Sequence, residues 1–318
     1  MGYVDTTATE NDDVTTKWGH MYTDSYIILS LTISMVLFNT LTLLVHLRTE
    51  LRKTTCINRY FFLSFTVVDL LFGLTVAPFS FWTSRFQTWI YSLWFCHLEA
   101  YLSFAFWIIS LYSLMWICID HFLAVRKVER YESIMTPMKS KCWMIFVWFG
   151  AIVYSCPALF GVAETRYYEE SYICIADWTK QRAYLMTSGV LICLPPVITI
   201  IFSNCYIFTR SFRENALVFE KTSSMNSRPD AYIRNFLISI FYFLSWLPWL
   251  SVMLHELIYG GVELSVHKRV HFYAMWLAIG NAAWKFVIYV CFDPDFRAGL
   301  KELYNYVCVC KGPFSMNV

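Results

Sequence analysis

Residues 60–82 read YFFLSFTVVDLLFGLTVAPFSFW, a run whose one charged side chain is Asp69 and whose one proline is Pro78. At 1.5 Å per residue, a helix of this length crosses about 30 Å, the hydrocarbon thickness of a bilayer. A membrane β-strand needs only about ten residues and alternates polar with apolar side chains, which this run does not. A helix satisfies its own backbone where no water reaches, so a spanning helix is the expectation.

Six further runs of the same kind lie on either side: Tyr26–Leu47, Leu98–Asp120, Cys142–Phe160, Tyr184–Thr209, Ile233–Leu257 and Phe272–Phe292. With Tyr60–Trp82 they make seven. Of the 318 residues, 58% are hydrophobic and only 15% charged, whereas a soluble domain is about one quarter charged. A net charge of +2 gives no basic footprint for nucleic acid. The expected fold is an all-α membrane protein, a seven-transmembrane helix bundle over residues 26–292. An extracellular tail (1–25) precedes it, and a short amphipathic helix with a cytoplasmic tail (293–318) follows. Pro78, Pro157, Pro195, Pro196 and Pro248 fall inside spans, where neighbouring helices and water can satisfy the freed carbonyls. The polar stretches Gly2–Asp24 and Asn215–Asp230 are expected to be disordered.

Lysine and arginine set the orientation. With the amino terminus outside, 17 of the 25 fall on the cytoplasmic side, counting Arg234 at the very edge of the sixth run, and 7 outside, with Lys285 deep within a span. That bias selects an outer amino terminus and a cytoplasmic carboxyl terminus, with the first span acting as the insertion signal. Of the 11 cysteines, Cys96 and Cys174 lie at the outer side, where disulfides persist; their pairing would tie the third span to the second outer loop. Cys308 and Cys310 follow the amphipathic stretch and are candidates for palmitoylation. His255-Glu256 lacks the second histidine of a zinc-hydrolase motif, and there is no phosphate loop. Neither an enzyme nor a cofactor is expected. Glu263, His267 and His271 form the one outer grouping with proton-sensing or zinc-binding chemistry.

The motifs along these spans resemble the rhodopsin-like (class A) G protein-coupled receptors. They are Asn39 in the first span, Asp69 and Pro78 in the second, Trp89 seven residues before Cys96, Trp148 and Pro157 in the fourth, and Trp246 and Pro248 in FLSWLP. Asn281, Tyr289, Phe296 and Arg297 complete the series. The resemblance implies a plasma-membrane receptor that binds an extracellular ligand and signals through a heterotrimeric G protein. Its transducing residues would be Asp120, His121, Asn204, Trp246, Pro248 and Tyr289.

The departures bear on mechanism. Asp120-His121-Phe122 stands where the family has Asp-Arg-Tyr, and Arg228 where many members carry the acid that locks that arginine. Lys285-Phe286-Val287-Ile288-Tyr289 replaces Asn-Pro-x-x-Tyr, and Asn204 stands in place of a tyrosine. In the family pattern Asn39, Asp69, Ser110 and Asn281 surround a sodium ion, so the Lys285 ammonium is expected to replace sodium and pair with Asp69. The retinal lysine of opsins falls ten residues before the motif tyrosine, which here is Ile279. Lys285 lies six residues further on, about 9 Å deeper, so retinal is not expected.

By the same resemblance, the ligand pocket would be lined by Ser103, Phe104, Trp107, Ser188, Trp246, Trp249, Met253, His271 and Met275. Ser103 takes the place of the aspartate that amine receptors offer to an ammonium, which disfavours a monoamine and favours a small apolar molecule or a peptide. Glu99, Glu164, Glu169, Glu170 and Glu256 are expected to form an acidic rim. One rival reading is a non-signalling receptor, a ligand sink or partner of another receptor. A more distant one is a small-solute transporter lined by Lys285 and Asp69, which the lack of an internal repeat weakens.

Overall fold

The computed structural model describes residues 6–50, 59–177, 180, 182–218, 229–259 and 268–309. Among them, seven helices are long and apolar enough to cross a membrane: Tyr22–Arg48, Arg59–Phe86, Leu93–Arg126, Pro137–Leu159, Met186–Arg210, Tyr232–Ile258 and Arg269–Phe292. The seven-helix bundle expected from the sequence is the fold.

The first span belongs to α1 (Thr6–Glu50). The second is broken into α2 (Arg59–Thr75) and α3 (Ala77–Phe86), because Pro78 cannot donate the backbone bond that would continue one helix through Val76. The third is α4 (Leu93–Arg126), capped where the Ser92 hydroxyl accepts from the Phe95 amide. After the short α5 (Tyr131–Ile134), Thr136 caps α6 (Pro137–Leu159), the fourth span. Strands β1 (Thr165–Tyr168) and β2 (Ile173–Ala176) form an antiparallel hairpin in register Tyr168↔Ile173. The fifth span runs from α7 (Arg182–Ser188) through a π turn at Gly189–Cys193 into α8 (Leu194–Val218). That wide turn precedes Pro195 and Pro196, which remove two amide donors from the ladder. The sixth and seventh spans are α9 (Pro229–Tyr259) and α10 (Lys268–Phe292), followed by the short α11 (Pro294–Val309).

Two expectations of disorder are corrected. Helix α1 begins at Thr6, so most of Gly2–Asp24 is helical. A helix already nucleated in the span extends at the low cost of one residue fixed per hydrogen bond. Likewise Asn215–Val218 completes α8 and Pro229-Asp230 opens α9, while 219–228 lie outside the described residues.

Polar side chains knit the centre together. Trp148 Nε1 donates to Ser64 Oγ at 2.8 Å, and Ser64 and Ser113 share a 2.9 Å bond, joining α6, α2 and α4. Gly73 lets α2 close on α1, since a Cβ there would stand 3.2 Å from Met35 Cβ. Bonds between membrane helices typically contribute about 0.6 kcal/mol and at most about 1.7. Ser64 serves two partners, so Ser64→Ala is expected to cost about 1 kcal/mol, read by thermal denaturation in detergent.

Candidate functional site

The hairpin roofs one end of the bundle. Cys96 and Cys174 are joined by a disulfide that ties α4 to β2. Folded over α4, the hairpin covers Glu99, which is 2% exposed. The Glu99 carboxylate accepts from the Cys174 amide at 2.9 Å and from Ser80 Oγ at 3.4 Å. Glu99 therefore belongs to the anchorage of the roof and not to an acidic rim, which corrects the expectation above. Glu164 pairs with Lys180 at 2.7 Å, and Glu256 Oε1 lies 3.2 Å from His271 Nε2. Trp276 Nε1 donates to Ser171 O at 3.0 Å, fastening the hairpin to α10. Burial pushes the Tyr168 phenol up to about 12, so it remains neutral at any physiological pH. Glu99→Ala removes the acceptor of a buried amide and is expected to cost about 1–3 kcal/mol. Faster hydrogen exchange confined to 173–176 would be the accompanying sign.

Beneath the roof lies a cavity of about 120 Å³. Ser103, Phe104, Trp107, Trp246, Trp249 and Met275 line it, with Ile175 and Ala176 of β2 above. The other three pocket candidates lie elsewhere. Ser188 bonds Tyr154 at 2.7 Å, His271 pairs with Glu256, and Met253 is packed in the core. Ile279 also lines the cavity, as do Phe72, Phe106 and Leu250, which were missed. Phe72 stood three residues after Asp69, one helical turn away, which is the signal that could have found it. Ser103 is 9% exposed, and its hydroxyl has no hydrogen-bond partner among the described residues.

The cavity continues downward to Asp69, Ser110 and Asn281, joining what the sequence suggested were separate outer and inner sites. At its floor the structure brings Lys285 and Asp69 together as an ion pair. Lys285 Nζ also donates to Phe65 O at 2.9 Å and lies 3.5 Å from the Phe65 ring centroid. Asn39 Nδ2 donates to Met35 O at 2.9 Å and Ala282 O at 3.2 Å, tying α1 to α10. Trp246 packs against Trp107 with ring centroids 5.7 Å apart, one helical turn before Trp249 on the sixth span, which carries Pro248 within it.

At the end of the bundle away from the hairpin, Asp120 accepts from the Tyr131 hydroxyl at 2.6 Å. His121 is 7% exposed and bonded to Asn235 of α9. Asn204 donates to Ile200 O at 3.0 Å and approaches Cys118 Sγ at 3.6 Å. Tyr289 is fully buried against Phe296. Cys308 falls within α11, while Arg228, Glu263, His267 and Cys310 lie outside the described residues.

Seven spans, a disulfide holding a hairpin over an aromatic cavity, and a polar floor together define a seven-helix membrane receptor. Residues 38–289 match the family described as 7 transmembrane receptor (rhodopsin family), and the chain belongs to that family as a multi-pass membrane protein. It is 24% identical over 264 residues to G-protein coupled receptor 52 of Mus musculus, covering 78% of this chain and 72% of the relative. To histamine H2 receptor of Rattus norvegicus it is 22% identical over 265 residues, covering 80% and 72%. To G-protein coupled receptor 161 of Homo sapiens it is 25% identical over 320 residues, covering 90% and 59%.

Proposed function

We propose that this chain is a plasma-membrane receptor, amino terminus outside, that binds an uncharged small molecule or a peptide's aromatic side chain and signals to a heterotrimeric G protein. The observation that carries the reading is the aromatic-walled cavity under the hairpin. At about 120 Å³ it is comparable to an engineered apolar cavity of about 150 Å³ that binds benzene. It therefore suits one ring-sized group. The aromatic walls supply the contact area, and the Ser103 hydroxyl supplies one hydrogen bond.

Histamine, the ligand in the rat relative's name, is an amine. Its transfer to this chain is disfavoured, because the one carboxylate on the cavity wall among the described residues, Asp69, already faces Lys285. An ammonium there would lie buried without its own counter-ion, at a cost of several kcal/mol. Binding at Trp246 would move α9 about Pro248 and so reach Asp120, His121 and Asn204 at the inner face. Cys308 and Cys310 would anchor α11 by palmitoylation.

A second reading, a receptor that binds without signalling, is favoured by His121. Its imidazole is engaged with Asn235 and offers no guanidinium fork to a transducer. The test for either is reconstitution in vesicles. Saturable outer-face binding of a neutral aromatic ligand without solute flux is the expected result. Flux abolished by Asp69→Asn would instead make the chain a transporter.

A further inference from the structure

The foot of the sixth span is held by a continuous chain of polar contacts that none of the family's motif residues except His121 would have indicated. It begins on α4. His121 Nδ1 lies 2.8 Å from Ile117 O, so Nδ1 carries the proton and Nε2 is left as an acceptor. Asn235 Nδ2 of α9 lies 2.7 Å from that Nε2 and 3.0 Å from Nδ1, so its amide donates onto the face of the imidazole. The Asn235 amide cannot turn over freely, because its Oδ1 accepts from Arg234 Nε at 3.2 Å. Arg234 in turn forms an ion pair with Asp293, at the junction of α10 and α11. The two side chains are only 13% and 12% exposed. The guanidinium carbon also sits 5.2 Å from the Phe62 ring centroid and 5.7 Å from that of Tyr289, so α2 and α10 form its bed. Asp293 is fixed independently, since its other oxygen accepts from the Phe296 amide at 3.0 Å and caps α11.

We infer that the relay Ile117–His121–Asn235–Arg234–Asp293 is a resting latch that clamps the cytoplasmic end of α9 to α4 on one side and to α10 and α11 on the other. Each link fixes the geometry of the next. Arg234 sets the amide orientation that suits a neutral imidazole, and Asp293 sets the position of Arg234. Swinging α9 outward breaks the His121–Asn235 bond and the Arg234–Asp293 pair in the same movement, which makes the release cooperative. The device does the work of an arginine–acid lock with a neutral histidine at its centre. It explains how a chain with His121 in that position can still hold its inner end shut.

The latch goes beyond the ligand-binding reading and does not rest on it, so its first test needs neither ligand nor G protein. Spin labels are placed at Met138→Cys on α6 and Ile233→Cys on α9, both exposed in the structure. The background has Cys56, Cys142, Cys205, Cys291, Cys308 and Cys310 replaced by serine. Distances are measured by double electron–electron resonance on monodisperse protein. The natural relay gives one short distance. Arg234→Gln and Asn235→Leu are each expected to add a population longer by about 5 Å, of the order of one helical turn. Asp293→Asn keeps an oxygen to cap α11 and serves as the second variant for the ion pair, should Arg234→Gln fail to fold. Basal nucleotide exchange on added G protein is expected to rise severalfold in the same variants. A longer distance without added exchange supports the latch and counts against coupling. An unchanged distance distribution in the folded variants overturns the latch.

Discussion

Lys285→Ala is expected to destabilise the detergent-solubilised receptor by about 3–5 kcal/mol, and adding Asp69→Asn to recover most of that loss. Both side chains are buried, Lys285 at 3% and Asp69 at 9% exposure, and they meet at the floor of the cavity. Removing the ammonium alone strands a carboxylate in the membrane interior, and removing both charges leaves neither to be solvated. A lysine that merely snorkelled would extend toward the interface, whereas Lys285 Nζ turns to Phe65 O and the Phe65 ring. Thermal denaturation of the four proteins of the cycle is the check. Effects that simply add, with no coupling between the two sites, would sink the pairing. A corollary concerns sodium. The natural chain should be equally stable in sodium and potassium chloride, while Lys285→Asn should become selectively stabilised by sodium.

The second large effect is at Ser103. Ser103→Asp places a carboxylate among Phe72, Phe104, Trp107 and Met275, with Asp69 already engaged by Lys285. The unpaired charge is expected to cost about 3 kcal/mol or more. Dopamine, whose ammonium would pair with it, is expected to raise the melting temperature of the variant and leave that of the natural chain unchanged. Ser103→Ala, which removes only a hydroxyl without a partner, should alter stability little. Equal stabilisation of the natural chain by dopamine would show that the cavity is not reserved for neutral ligands.

Much of the fold was legible because a bilayer imposes one dominant signal, length of apolar run, and seven such runs stand out from their charged flanks. Asp69, Pro78 and Trp148 then identified their spans individually, and each has a local task in the structure. Pro78 breaks the second span, and Trp148 reaches Ser64. The placement of Glu99 was not legible. One sequence shows which residues share a helix face but not which face a disulfide-linked hairpin will cover. The depth of the cavity was hidden for a related reason: its continuity from Ile175 to Asn281 depends on how four spans splay, and no single helix encodes that. Arg234 and Asp293 read as ordinary juxtamembrane charges, and they lie 59 residues apart in sequence. Only the return of α10 to the foot of α9 makes them partners. The extended α1 was obscured by its polar composition, which argues for disorder unless a helix is already nucleated beside it.

The most direct test of the receptor account is G protein nucleotide exchange in cells with verified surface expression, screened with a library of neutral aromatic ligands. The natural chain is compared with His121→Arg and with Ser103→Trp, which fills the cavity. The account predicts a ligand that activates the natural chain and fails on Ser103→Trp, with a response at least as large in His121→Arg. A response that survives filling of the cavity, or silence in both the natural chain and His121→Arg, would contradict it.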